Sequence, residues 1–244
     1  MAFDQIPLNA YAWTMGGIAL FFFALRSYRN HQETKNPVAW MYFLLGAPIA
    51  VAFFLYGIPP MLSKDPDVVI QTYYLADMFV MISMIAQSRL MWFIGLKNRI
   101  RYAWVALPTI MLTLTILLLE FGTSKAAFGN NLTLYTDIEP VLYAKSLLYL
   151  LICFPIGYFF IHQGALNPET RAKAKSIITG VAFILVSAAA ISSSLLQQGS
   201  DTHESAISNF FVFLLFLIIN TLPRKKLLTA AATPPDTTTN QRSS

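Results

Sequence analysis

Asp77 and Arg89 are embedded in one long apolar stretch of the chain, and Lys145 in another. In a hydrocarbon environment each such charge costs on the order of 2.5–3.5 kcal/mol, so each asks for a role in packing, ligand binding or proton handling. Asp77 lies about nine residues, or ~13 Å of helical rise, from the start of its stretch. On a helix, Tyr73, Asp77, Met84 and Ser88 share one stripe, while Gln71 and Arg89 share a second about 120° away. A helix with polar groups on two faces is expected to lie inside a bundle rather than against lipid. Lys145 enters its own stretch from the same end as Asp77 and is its natural partner, with Glu120 as a second carboxylate for that lysine. Such a group serves either as a buried ion pair that fixes helix register or as the wall of a ligand or proton pocket. The candidate ligand-binding residues are therefore Asp77, Lys145, Tyr73, Tyr74 and Glu120. Arg89, Gln87, Ser88 and Ser187 are the candidate lining of an inner polar path.

The remaining inventory argues against catalysis. A retinal Schiff base needs a lysine in the middle of the last apolar stretch, and 205–223 contains none. An intramembrane haem needs axial histidines within the bilayer. His31, His162 and His203 instead fall at helix ends or in loops, with His203 on the opposite side from the other two. A zinc hydrolase would need clustered ligands near one face, and no HxxxH pair occurs. Proteolysis by an aspartyl dyad would need two facing carboxylates at depth, whereas Asp77 is read as alone there. No glycine-rich phosphate loop or nucleophile elbow is present. The one cysteine, Cys153, excludes an internal disulfide and reads as a buried packing residue. The chain is expected to be no enzyme and to need no metal or cofactor.

The elements that position these residues follow from composition. Of 244 residues, 56% are hydrophobic and 12% charged, and the mean hydropathy is +0.55. A soluble domain carries about 25% charged residues to wet its surface. The predicted class is an all-α integral membrane protein. A bilayer core of ~30 Å takes about 20 apolar residues in helix. Seven stretches fit, at about 7–25, 37–57, 69–96, 102–120, 140–161, 176–197 and 205–223. Together they form a transmembrane domain over 1–226. Residues 227–244, rich in Pro, Thr and Ser, are expected to be a disordered cytoplasmic tail. Pro48, Pro108 and Pro155 fall inside spans, where neighbouring helices absorb the freed carbonyls. Small residues crowd the first and sixth spans and predict close helix approach, with the sixth central to the bundle.

Charge sets the orientation. Thirteen of the seventeen basic residues follow the first, third, fifth and seventh spans: Arg26, Arg29, Lys35, Lys97, Arg99, Arg101, Arg171, Lys173, Lys175, Arg224, Lys225, Lys226 and Arg242. The alternate loops hold Lys64 and Lys125 beside six carboxylates. The positive-inside rule puts the N-terminus outside and the C-terminus in the cytoplasm. Asp4 precedes the first span and Arg26 follows it, the reverse of a cleaved signal peptide. The predicted location is the plasma membrane, or the inner membrane of a bacterium. The net charge of +5 is then a loop signal, and no nucleic-acid partner is expected. The outer loop at about 121–139 carries one glycosylation triplet, Asn131-Leu132-Thr133.

Seven helices with an outer N-terminus, short loops and an outer-half polar site resemble in architecture the bacterial seven-helix sensor modules that precede histidine kinases. That resemblance implies a sensor or receptor-type module. With about twenty residues after the last span, it is expected to signal through a cytoplasmic or membrane partner. Small-solute carriers with seven helices share the topology and give the alternative, with Pro48 and Pro155 as related hinges in two halves.

Overall fold

A computed structural model describes residues 7–129 and 132–196. The described chain runs α1 (Leu8–Thr34), α2 (Pro37–Leu62), α3 (Pro66–Met91), α4 (Ala103–Glu120), β1 (Lys125–Gly129), β2 (Leu132–Thr136), α5 (Glu139–Leu166) and α6 (Thr170–Leu196). A widened π-helical turn, Trp92–Leu96, continues α3. The first five helices are each long and apolar enough to cross a bilayer. Apolar helices are what a bilayer demands, because each satisfies its own backbone hydrogen bonds. The span expected at 205–223, the tail 227–244 and Asn131 lie outside the described residues.

The starts of α2 and α3 are written in capping chemistry. Asn36 accepts from the Val38 N–H at 2.9 Å, with Pro37 in the first turn of α2. Asp65 accepts from the Asp67 N–H at 3.0 Å, with Pro66 opening α3. Each pair combines an orphan-amide acceptor with a residue whose φ is already helical. Pro48, Pro108 and Pro155 are accommodated inside α2, α4 and α5.

The helices turn many large apolar side chains outward. On α4, Trp104, Leu107, Met111, Leu114 and Leu118 recur every three or four residues and are all exposed. Such a stripe places the chain in a lipid bilayer, since hydrocarbon rather than water solvates it. The inward faces form the core, with Met84, Leu90, Ile116, Leu148 and Ile156 fully buried.

Among the described elements the most enclosed helix is α3, which packs against α2, α4 and α5. The span expected at 205–223, on which the central place of the sixth helix depends, lies outside the described residues; of the described elements, α6 lies on α5. Gly157 and Gly180 let those two helices touch. A Cβ on Gly157 would stand 2.7 Å from the Gly180 carbonyl oxygen, and one on Gly180 would stand 2.6 Å from that of Gly157. The two-stripe reading of α3 is corrected. Gln71 and Arg89 are exposed. Both sit near helix ends, where a polar head reaches the interface along its own stem.

The all-α expectation needs one amendment. The loop between α4 and α5 folds into an antiparallel hairpin in which Lys125 pairs with Thr136 and Gly129 with Leu132. Asn9 of α1 clamps it: the Asn9 amide donates to the Thr133 carbonyl at 2.6 Å and accepts from the Thr133 N–H at 3.1 Å.

Candidate functional site

The site is built where the hairpin meets the bundle. Tyr73 and Asp77 lie one turn apart on α3 and both face inward. Glu120 is the last residue of α4 and is 1% exposed. Beyond it, Gly122 reverses the chain at φ +79°, a conformation that favours glycine. Tyr74 holds that reversal in place. Its hydroxyl donates to the Ser124 carbonyl and accepts from the Gly122 N–H, each at 3.1 Å. The chain then runs through the hairpin and delivers Asp137 to the mouth of the bundle.

Lys145 reaches in from α5 and ties these elements together. Its ammonium donates to Asp77, to Glu120 Oε1 at 3.1 Å and to Asp137 Oδ2 at 2.7 Å. It also approaches the Tyr73 hydroxyl at 3.2 Å. Asp137 accepts further from Tyr73 at 3.0 Å and from Ser124 at 2.5 Å. The Tyr56 hydroxyl of α2 donates to the second oxygen of Asp77. Tyr135 of β2 stacks on Tyr73 with ring centroids 4.4 Å apart, and donates to the Tyr56 carbonyl at 3.4 Å. Burial, reinforced by the charge of Asp77, pushes the Tyr135 phenol above its ordinary range, so it remains a neutral ring.

Of the residues singled out in the sequence, Asp77, Lys145, Tyr73 and Glu120 converge. Tyr74 adjoins them but serves the turn. Asp77 is not alone: Glu120 and Asp137 share its lysine. No protein-family model and no curated protein matches the chain. The site must therefore be read from its own chemistry. It is a buried, hydrogen-bonded cluster of three carboxylates, one ammonium and three tyrosines, drawn from four helices and the hairpin. Among the described residues no group of His, Cys, Asp and Glu has the arrangement of a metal site.

Tyr56, Ser124, Tyr135 and Asp137 were not among the residues the sequence picked out. Asp137 carried a usable signal, since it stands two residues before the helix that bears Lys145. Tyr56 carried none, being one aromatic in an apolar span.

Of the inner residues, Gln87 and Ser187 meet through Cys153, while Ser88 and Arg89 stand apart. Gln87 donates to Ser83 at 3.3 Å and accepts from the Cys153 thiol at 3.0 Å, and Ser83 donates to the Leu45 carbonyl at 3.0 Å. Ser187 of α6 is buried and bonded to the Phe183 carbonyl at 3.0 Å. Ser88 bonds to the Ile85 carbonyl at 2.7 Å and lies 3.4 Å from the Tyr102 hydroxyl. Arg89 is exposed and belongs to neither group.

Proposed function

We propose that this chain is a seven-helix membrane sensor, N-terminus outside and C-terminus in the cytoplasm, whose outer-half polar cluster responds to an external solute and signals through a partner protein. The observation that carries the reading is the way the Lys145 ammonium joins α3, α4, α5 and the segment that follows the hairpin. A charged solute that competes for any one of these contacts changes what holds the hairpin to three helices. A binding event at the outer end is thereby coupled to helix packing, which is what a receptor needs.

The transporter alternative draws support from the polar groups deeper in the bundle, Ser83, Gln87 and Cys153 on α3 and α5. One experiment separates the two. A panel of small amines and carboxylates is applied to purified protein and to proteoliposomes. Thermal stabilisation without flux, lost in Asp77→Asn, supports the sensor. Flux that is abolished by the same change in folded protein supports the transporter. Neither stabilisation nor flux leaves the cluster as a register device and rejects both.

A further inference from the structure

The charges in the cluster do not balance. Asp77, Glu120 and Asp137 face a single ammonium. With all four groups ionised, two negative charges are left without a counter-charge in a place where even paired charges are expensive. Glu120 is the weak point. Its Oε1 meets Lys145, but its Oε2 is buried with no hydrogen-bond partner among the described residues. Glu120 also closes α4, at the end where the helix dipole presents partial negative charge.

The groups that face Glu120 come from every element packed around it: Asp77 from α3, Lys145 from α5 and Asp137 from beyond the hairpin. Tyr73 also faces Glu120, with its hydroxyl already committed to Asp137. The Glu120 and Asp77 carboxyls are close enough to share a hydrogen bond. Two carboxylates cannot form one, because each only accepts. With a proton on Glu120, an acid–carboxylate contact becomes a donor–acceptor pair. That proton also halves the surplus charge.

We infer that the Glu120–Asp77 pair is a proton-binding site, with Glu120 carrying a proton at neutral pH and donating it to the Asp77 carboxylate. The ligand is a hydron taken from the aqueous phase at the hairpin end. Asp77 and Asp137 remain the anions that hold Lys145. The inference stands whether the chain signals or transports, since it concerns the occupancy of the cluster itself.

Infrared difference spectroscopy of the purified full chain tests it, because a protonated carboxyl has a C=O stretch that a carboxylate lacks. The wild type at neutral pH, in potassium buffer, should show one buried, deuterium-sensitive carboxyl band. Glu120→Gln, which keeps the shape and the donor of the protonated acid, should fold and lose that band completely. Glu120→Asp should keep a shifted band. Absence of the band in the wild type would overturn the proposal without recourse to any variant. So would a band that persists unchanged in Glu120→Gln, since the proton would then reside elsewhere. A band that appears only when sodium is withdrawn would show a metal cation, rather than a proton, neutralising the site, and would equally overturn it.

Discussion

Lys145 is shared by Asp77, Glu120 and Asp137, and the sharing makes the four groups unequal. If Asp77 and Lys145 were an isolated pair, removing either would strand the other. In the cluster, Asp77→Asn leaves Lys145 with two carboxylates and reduces the excess of negative charge. The expected cost is about 1 kcal/mol, the scale of one ordinary hydrogen bond. Lys145→Met strands every carboxylate at once and should cost about 3–5 kcal/mol, the range for breaking a buried charge pair from one side. Thermal or denaturant unfolding of the two variants in detergent checks the ordering. Adding Asp77→Asn to Lys145→Met should recover part of the larger loss, because one stranded charge is gone. Equal single losses would show that the lysine answers to Asp77 alone. The sequence made Asp77, Lys145, Tyr73 and Glu120 legible because ionisable and phenolic groups in apolar stretches declare themselves. Asp137 was marked only by its place two residues before α5; that its loop folds back over the bundle was not written in the sequence.

The helices were legible by length, since about 20 apolar residues bounded by capping residues leave little else to form. The hairpin was not, because five-residue strands such as Lys125–Gly129 are too short for a period to stand out. Only the Gly129-Asn130-Asn131 run, rich in turn-forming residues, marked it in the sequence. Two glycines and one turn test how these elements are held. Gly122→Ala places a Cβ at φ +79° with open space around it, so the whole effect is backbone strain of about 1–2 kcal/mol. It should appear as faster amide exchange in Lys125–Gly129, with the helices unchanged. Gly157→Ala and Gly180→Ala each drive a methyl group into the carbonyl of the facing glycine. Each should lower the unfolding midpoint, and the double variant should lose clearly less than the sum, because the first change has already parted α5 from α6. Strict additivity would mean that the two glycines serve separate contacts.

At the scale of the whole molecule the question is which side of the membrane the charged cluster faces. The hairpin, Glu120, Asp137 and the loop between α2 and α3 share one end of the bundle, and that end carries Asp65, Asp67 and Glu139 as well. The opposite end carries Arg26, Arg29, Lys35, Lys97, Arg99, Arg101, Lys173 and Lys175. Basic residues in short loops are retained on the cytoplasmic side, while acidic residues contribute little to the choice. The basic end should therefore be cytoplasmic and the cluster should face the outside. The prediction is testable without knowing any ligand. Single cysteines in a Cys153→Ser background at Asp65 and at Lys97 should react oppositely with a membrane-impermeant maleimide added to intact cells. Labelling at Asp65 but not at Lys97 is expected. The reverse pattern would turn the molecule over. It would place the proton site on the cytoplasmic face, and a sensor of the outer medium would then have its charged cluster on the wrong side.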